Sequence, residues 1–523
     1  MNHKKHILKS TGQIGGATFI SRILGLIRDI ITAAIFGATT LWDAFVLAYT
    51  IPNLFRRLFG EGALTAAFVP VFTDSLIHEE RKKSWHFANT TITALILSLI
   101  TLVIGIDIVL FITSKIFTFP VKYSFAISLT YVLLPYTILI CCAALFMGIL
   151  NSFHHFIIPA ISPAVLNIVW IIILIFICPF FKNNPSIQIY ILSFGILLGG
   201  LIQAGMQIPV LKAHGFRYHF SLNFKLPAFK KILFLMGPTV IGVAVFQINV
   251  LVDRLLAFFL REGAASVLFY SNRLVQFPLA LFGISLATAV LPIMSKSVST
   301  NNIEEFKNTL IHGTNMLLTI LIPASLGLIL LAIPISELIF QHGAFTYISA
   351  VRTGYALASY AIGLFAFAYY KLIAQGFYAR KDMITPVKVG VFCVLLNLVL
   401  NIILMFPLKE SGLALATSIT SYINVIILFF LLKKSIGKIP YSHFSETLKK
   451  VLLATAIMSL ICISTRMIVS KLFLTPNFAS KLLNVCIPMI TSIICVTLSY
   501  RLLRLKEFNE IVRIILRKDK EVT

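Results

Sequence analysis

The feature that most constrains this sequence is its series of apolar runs, each about 20 residues long and nearly free of charge. About 20 apolar residues in a helix cross the roughly 30 Å hydrocarbon core of a bilayer. Hydrophobic residues make up 58% of the chain and charged residues only 12%, whereas soluble domains carry about 25% charged residues. The sequence therefore excludes a soluble globular protein. The runs are continuous instead of alternating, which excludes a β-barrel.

The sequence predicts an all-α polytopic membrane protein with about fourteen transmembrane helices. Arg22, Arg28 and Asp29 interrupt the first run, so we expect a retained helix there instead of a cleaved signal peptide. The predicted spans lie near 10–36, 42–71, 86–112, 124–150, 156–180, 186–211, 232–260, 267–294, 309–335, 353–378, 386–406, 411–432, 450–470 and 482–503.

The net charge of +25 follows from topology, and nucleic acid is not needed to explain it. Lys and Arg residues on the connections that share a side with the N-terminus outnumber those on the other side by about three to one. Cytoplasmic connections are the ones enriched in Lys and Arg. We therefore predict a multi-pass membrane protein with both termini in the cytoplasm.

Several cations fall inside the predicted spans, where each costs about 2.5–3.5 kcal/mol if it faces lipid. They are Arg22, Arg28, Arg56, Arg57, Arg254, Arg273 and Lys371. The acids that accompany them are chiefly Asp29, Asp43, Glu61 and Asp253. These side chains must face a bundle interior or a wet cavity. Because that cavity is net cationic, we infer an anionic substrate.

Some of these cations also have a structural interpretation. Arg57 and Glu61 are four residues apart on one face of an α-helix and can neutralise each other. Lys371 lies near the cytoplasmic end of its span and can extend its ammonium group to the interface. Arg22, Arg28 and Arg273 have no evident local partner, so they are the strongest functional candidates.

Two segments of the chain resemble each other. YTIPNLFRRLFGEGALTAAFVP runs from Tyr49 to Pro70, and YSNRLVQFPLALFGISLATAVLP runs from Tyr270 to Pro292. Their offset of about 220 residues equals six spans, which predicts two equally oriented lobes related by a pseudo-twofold axis along the membrane normal. Such lobes suit alternating access. The predicted regions are an N-terminal lobe at 1–220, a C-terminal lobe at 221–440, and two further helices with a basic cytoplasmic tail at 441–523.

Several motifs carry a family resemblance. The N-terminal motifs are Ser21-Arg22-Ile23-Leu24-Gly25-Leu26-Ile27-Arg28-Asp29, Phe36-Gly37-Ala38, Asp43-Ala44-Phe45, Pro52-Asn53-Leu54-Phe55-Arg56-Arg57 and Glu61-Gly62-Ala63. The later motifs are Asn272-Arg273-Leu274-Val275-Gln276-Phe277-Pro278, Gly376-Phe377-Tyr378 and Thr385-Pro386-Val387-Lys388. Together they resemble the MurJ (MviN) family of lipid II flippases, within the MOP exporter superfamily, across essentially all the spans.

The resemblance implies a transporter of peptidoglycan synthesis, not an enzyme. Its substrate would be undecaprenyl-pyrophosphate-linked disaccharide-pentapeptide, moved from the cytoplasmic to the outer leaflet by alternating access. Arginine forks bind phosphate bidentately and stay charged, which suits a pyrophosphate. The residues implied at the substrate site are Arg22, Arg28 and Arg273 along a cationic cavity, with Asp29, Asp43, Asn53, Arg56, Arg57 and Glu61 around it.

The resemblance also implies a cation site. Its ligand would be a sodium ion, bound by Asp253, Asn397, Asn401 and Thr417. Some relatives carry an acid where this chain has Asn401, and acids beside the arginine of the eighth span where this chain has Asn272 and Gln276. Coupling to sodium, to protons or to the membrane potential therefore stays open at this point.

Two other functions stay open on the sequence. One is export of another lipid-linked oligosaccharide or of a drug by a member of the same superfamily. The other is a membrane enzyme such as a polyprenyl-phosphate glycosyltransferase, which needs acids or a base placed for acid–base work or metal binding. The expected partners are lipid II and membrane lipids, with peptidoglycan synthesis enzymes as candidates, and the expected state is a monomer.

Overall fold

The computed structural model describes residues 2–60, 63–437, 442–473 and 477–515. Within these ranges the regular structure is helical, with no strand. The earlier helices are α1 (Asn2–Phe36), α2 (Thr40–Phe55), α3 (Ala63–His78), α4 (Arg81–Ile116), α5 (Val121–Leu133), α6 (Tyr136–Ser152), α7 (Ile157–Ile172), α8 (Pro185–Gly205), α9 (Ile208–Ala213) and α10 (Pro227–Leu260).

The later helices complete the described chain. They are α11 (Ala264–Pro278), α12 (Ser285–Ser299), α13 (Ile303–Leu330), α14 (Ala332–Phe340), α15 (Tyr347–Ile362), α16 (Leu364–Ala379), α17 (Ile384–Ile436), α18 (Ser442–Leu472), α19 (Phe478–Leu502) and α20 (Lys506–Ile515). Short turns of other helix types lie between some of them. These are π-helical turns at Arg56–Gly60, Ile173–Ile177 and Leu279–Ile284, and a 3₁₀ turn at Cys178–Phe181.

The helices confirm the predicted fold class. Among the described residues, 11 helices are long and apolar enough to cross a membrane. One of these, α17, bends at Lys409 and supplies two of the predicted spans. The first two predicted spans lie in α1 and in the run from α2 to α3. The chain is therefore a multi-pass helical membrane protein.

Packing divides the chain into two compact units, Met1–Ser266 and Val267–Thr523. Within the first unit α1 packs along α7, α2 packs against α5, and α10 packs against α2 and α3. Within the second unit α18 pairs with α19, and α17 packs against α15 and α16. Packing thus places α10 with the first unit. The lobe boundary at 220 rests on the sequence repeat, a different criterion, and stays a prediction.

The two repeated segments have the same local structure. In the first, a π-helical turn at Arg56–Gly60 separates α2 from α3, and in the second a π-helical turn at Leu279–Ile284 separates α11 from α12. The shared Leu-Phe-Gly lies within the π-helical turn in both segments. The shared final proline, Pro70 or Pro292, lies inside the helix that follows.

The first π-helical turn changes the expected geometry of Arg57. An ion pair between Arg57 and Glu61 assumed α-helical winding, in which residues four apart face the same side. Arg57 instead lies in a π-helical turn, whose hydrogen bonds join residues five apart. Glu61 lies outside the described residues, so the pairing of Arg57 with Glu61 stays a prediction.

Lys409 has a strained backbone at the bend of α17, with φ +54° and ψ −138°. That region is almost restricted to glycine and costs other residues about 1–3 kcal/mol. We expect Lys409→Gly to raise the free energy of unfolding by about 1 kcal/mol, after the entropy cost of a glycine is subtracted. Denaturant unfolding in detergent micelles measures the change. Lys388→Gly, in regular helix, should lower stability by about 1 kcal/mol; a loss for both variants would contradict the strain at Lys409.

Candidate functional site

Arg28 lies at the centre of a buried polar cluster between α1 and α7. Its side chain is only 4% exposed. Its Nε and Nη2 donate to Oδ1 of Asp29 at 3.0 and 2.6 Å, and its Nη1 donates to Oδ1 of Asn167 at 3.0 Å. The guanidinium carbon also lies 4.5 Å from the ring centroid of Trp170. Arg28 is therefore held by an ion pair, an amide and a ring face.

Helical spacing explains how α1 and α7 build this cluster. Arg28 and Thr32 are four residues apart on α1, and Asn167 and Trp170 are three apart on α7, so each pair shares a face. Trp170 Nε1 donates to the Thr32 hydroxyl at 3.2 Å. Asn167 Nδ2 donates to the carbonyl of Ser21 at 3.1 Å. The two helices are thus joined by polar contacts where an apolar packing would be expected.

The ion pair corrects the expectation that Arg28 has no local partner. Consecutive residues point in different directions on an ideal helix, yet the long arginine side chain folds back to the carboxylate of Asp29. Because the two charges compensate, this cluster adds no net positive charge to a cavity. These contacts use three of the five N–H groups of the guanidinium, so a phosphate that bound Arg28 would have to reach the other two or replace Asp29 or Asn167 as an acceptor.

Asp43 accepts hydrogen bonds from the corner between α10 and α11. It is fully buried, and its carboxylate accepts from the backbone N–H of Gly263 at 2.6 Å and of Ser266 at 2.8 Å. The Ser266 hydroxyl also donates to it at 2.6 Å. A carboxylate at a helix N-terminus satisfies free N–H groups and interacts favourably with the helix dipole. Asp43 therefore acts as the cap of α11.

Gly263 and Lys122 complete this corner. Gly263 has φ +76°, and a Cβ added there would lie 2.5 Å from the carbonyl oxygen of Ala38, so only glycine fits. Lys122 Nζ donates to the carbonyl of Phe258 and lies 4.2 Å from its ring centroid. A cation thus caps the C-terminal end of α10, as an anion caps the start of α11.

The three candidates at the end of α2 lie where the helix changes its winding. Arg56 Nε donates to Oδ1 of Asn53 at 3.2 Å, and Asn53 Nδ2 donates to the carbonyl of Tyr49 at 3.0 Å. Arg56 and Arg57 are half-buried and are the first two residues of the π-helical turn. Asn53 and Arg56 are therefore positioned together.

Arg22 and Arg273 differ from Arg28 because their side chains are exposed. Arg273 lies on α11 of the second unit, with its guanidinium carbon 5.4 Å from the ring centroid of Phe269. Next to it, Gln276 Nε2 donates to Oδ1 of Asn272 at 2.5 Å. Arg22 lies on α1 of the first unit. Both arginines therefore have exposed side chains, in contrast to the buried Arg28.

The predicted cation ligands fall in both units. Asp253 is buried on α10 of the first unit. In the second unit, α17 brings Asn397, Asn401 and Thr417 together, with Asn401 Nδ2 donating to Asn397 Oδ1 at 2.8 Å and Asn397 Nδ2 lying 3.5 Å from the Thr417 hydroxyl. Amide and hydroxyl oxygens are the hard donors that such a cation prefers. The donor set on α17 therefore fits the chemistry of sodium.

One buried ion pair was missed from the sequence. Arg352 Nε donates to Oε1 of Glu410 at 2.7 Å, and Glu410 is only 1% exposed. Arg352 lies near the start of α15 and Glu410 lies just after the bend of α17, so no local pattern in the sequence joins them. The bend of α17 explains the pairing, because it places Glu410 against α15.

The chain is similar to known proteins over most of its length. Residues 32–484 match the family model described as lipid II flippase MurJ. The chain is 36% identical over 438 residues to the probable lipid II flippase MurJ of Vibrio cholerae, an alignment that covers 81% of this chain and 82% of that protein.

The chain is also similar to solved structures. A structure described as lipid II flippase MurJ in an inward closed conformation matches with a TM-score of 0.77 and 29% identity, over 93% of this chain and 98% of that one. An inward-facing multidrug resistance MATE family transporter of the MOP superfamily matches with a TM-score of 0.65 and 13% identity, over 80% of this chain and 94% of that one. The second match shows a shared fold.

Proposed function

The chain belongs to the lipid II flippase MurJ family, and from this premise we propose that it moves lipid II across the bacterial inner membrane. The substrate is the undecaprenyl-pyrophosphate-linked peptidoglycan precursor, carried from the cytoplasmic to the outer leaflet by alternating access. The observation that carries the proposal is the family match over residues 32–484. The protein is a transporter and breaks no covalent bond of its substrate.

The exposed arginines support pyrophosphate as the group that is recognised. Arg22 and Arg273 lie within spans and have exposed side chains, an arrangement that is costly unless the guanidinium faces water, an anion or another polar group. Two forks can each bind a phosphate bidentately. We therefore assign first contact with the head group to Arg22 and Arg273. Arg28 is buried, is paired with Asp29 and donates to Asn167 of α7, so it holds α1 against α7 and is not assigned the first contact.

The test is to deplete the protein in its host and measure how much lipid II is accessible outside the inner membrane. We expect external lipid II to fall and precursor to accumulate inside, with rescue by wild type but not by Arg273→Ala. Arg501→Ala is the matched control, because it removes another exposed arginine, at the end of α19. Unchanged external lipid II after depletion, or full rescue by Arg273→Ala, would contradict the proposal.

The orientation and the assembly belong to the same proposal. We place both termini in the cytoplasm because Lys and Arg favour that side by about three to one. We take the monomer as the transporting unit, with peptidoglycan synthesis enzymes supplying and consuming the lipid. Labelling of cysteines introduced at Lys82 and at Lys182, both exposed, distinguishes the two sides of the membrane.

Sodium is the proposed coupling ion, with the set Asp253, Asn397, Asn401 and Thr417. The hydrogen-bonded cluster on α17 supports it, because its amide and hydroxyl oxygens suit a hard monovalent cation. Asp253 supplies the only carboxylate of the set. A bound sodium ion would contribute the energy of its own gradient to the transport cycle.

We expect Asp253→Asn to abolish the dependence of lipid II transport on a sodium gradient, because the set then has no anionic ligand. Transport by the purified protein in liposomes, with and without the gradient, measures it. Asp107→Asn, at another carboxylate within a span, is the matched control and should keep the dependence. If Asp253→Asn responds to sodium as the wild type does, the assignment is wrong.

A further inference from the structure

The connection between α9 and α10 exposes large apolar side chains, which is unusual for a connection. Four of them occur at every second position, with Tyr218 52%, Phe220 65%, Leu222 43% and Phe224 49% exposed. Connections usually carry polar residues and run over the protein surface in water. An exposed apolar group of this kind indicates a contact with something other than water.

Hydrogen bonds attach the opposite side of this connection to α4. Asn89 Nδ2 donates to the carbonyl of Arg217 at 3.0 Å and to Nδ1 of His219 at 2.9 Å. The hydroxyls of Thr90 and Ser221 are 2.8 Å apart. Because these contacts hold the backbone, the apolar side chains cannot turn inward, and their exposure is a fixed property of the fold.

The histidines add to this attachment. An amide nitrogen can only donate, so Nδ1 of His219 is the acceptor and its Nε2 carries the proton. That proton faces Nδ1 of His86, 3.3 Å away. Tyr218 points its hydroxyl at the hydroxyl of Thr93, 3.2 Å away, while its ring stays half exposed. A tyrosine with a satisfied hydroxyl and an open ring is typical of a membrane interface.

The length of α4 gives the depth of this attachment in the membrane. Large exposed apolar side chains occur along α4 from Leu97 to Ile116, a run of about 30 Å, which is the thickness of the hydrocarbon core. Asn89 and Thr93 precede that run by about 6–12 Å along the helix. The connection is therefore held at the boundary between acyl chains and head groups.

The charges on the connection itself have one sign. The stretch from 212 to 231 contains no Asp or Glu. Its cations are all exposed: Lys212, Arg217, Lys225, Lys230 and Lys231. On α3, the exposed carboxylate of Asp74 lies 3.9 Å from Lys231. Cations beside aromatic and aliphatic side chains at interfacial depth match an anionic lipid surface.

We propose that the 217–225 segment is an anchor for anionic phospholipids. The side chains of Tyr218, Phe220, Leu222 and Phe224 enter the boundary between head groups and acyl chains, and Arg217 and Lys225 bind lipid phosphates. This inference does not depend on lipid II transport. The orientation proposed above identifies the leaflet as the cytoplasmic one. Because α10 follows directly, the anchor fixes the depth at which α10 enters the bilayer.

The test uses Phe220→Trp in liposomes that mix phosphatidylglycerol and phosphatidylcholine, with bromine on the acyl chains of one lipid at a time. The fluorescence of the wild type, whose tryptophans are Trp42, Trp85 and Trp170, is subtracted. We expect the introduced indole to be quenched by bromine on either lipid, and more strongly when phosphatidylglycerol carries it. Adding Arg217→Gln and Lys225→Gln should remove the difference between the lipids. Leu222→Trp is a second reporter.

Lys82→Trp is the matched control. Position 82 lies on α4, about 22 Å before Leu97 and on the water side of the apolar run. It should not be quenched. Absence of quenching at both reporter positions would contradict the proposed lipid anchor. It would indicate that a soluble protein binds this face instead. Equal quenching by the two brominated lipids would overturn the preference for anionic lipid.

Discussion

Replacing Arg28 by alanine is expected to abolish lipid II transport and to lower the free energy of unfolding by about 3–5 kcal/mol. The loss of stability arises because Asp29, 2% exposed, would lose both hydrogen bonds from the guanidinium while it stays buried. The α1–α7 contact would also lose the stacking of Arg28 on Trp170. Unfolding in detergent micelles and the external lipid II assay measure the two effects separately.

A double variant separates the two roles of Arg28. Arg28→Leu with Asp29→Asn removes both buried charges, so most of the lost stability should return. Transport should stay absent if the guanidinium touches the pyrophosphate. Arg28→Lys keeps the charge but loses the planar fork, so it should transport poorly. A double variant that transports as well as the wild type would show that Arg28 serves only the structure.

Replacing Asp43 by alanine is expected to lower the free energy of unfolding by about 2–3 kcal/mol, because three buried donors lose a charged acceptor. Those donors are the N–H groups of Gly263 and Ser266 and the hydroxyl of Ser266. Hydrogen exchange gives a local measurement: the amides of Gly263 and Ser266 should exchange faster in Asp43→Ala than in the wild type.

Two comparisons support the interpretation of the Asp43 variant. Asp43→Asn keeps a carbonyl acceptor but turns an amide towards one of the donors, so its effect should be intermediate. Asp107→Asn, far from this corner in sequence, should leave both amides protected. If Asp43→Ala exchanges at Gly263 and Ser266 at the wild-type rate, the carboxylate does not hold the start of α11.

The spans were predictable because transfer into hydrocarbon depends on the local sequence. Each apolar run had the length that a bilayer requires, and helices occupy all the predicted spans. The repeat was also predictable, because both segments contain Leu-Phe-Gly at nearly the same distance from their first tyrosine. That this tripeptide lies in a π-helical turn was not predictable, since hydropathy does not distinguish one helical winding from another.

The partners of the polar residues were harder to predict than their positions. Asp43 was a candidate, yet its donor Ser266 lies 223 residues away along the chain, and no local pattern joins them. Arg28 and Asp29 are neighbours, but an ideal helix separates their directions, so the pair was missed. The spacing of Asn167 and Trp170 on α7 was a usable signal, because residues three apart share a helical face.

The π-helical turns also determine where this chain can change its length. An α-helix has about 3.6 residues per turn, so one deleted residue rotates everything after it by about 100°. A π-helical turn is wound more widely. Removing one residue from Arg56–Gly60 or from Leu279–Ile284 would therefore tighten the winding there and leave the flanking helices facing their present neighbours. Single-residue gaps among relatives are expected at these two turns, where evolution can shorten a membrane segment without repacking it.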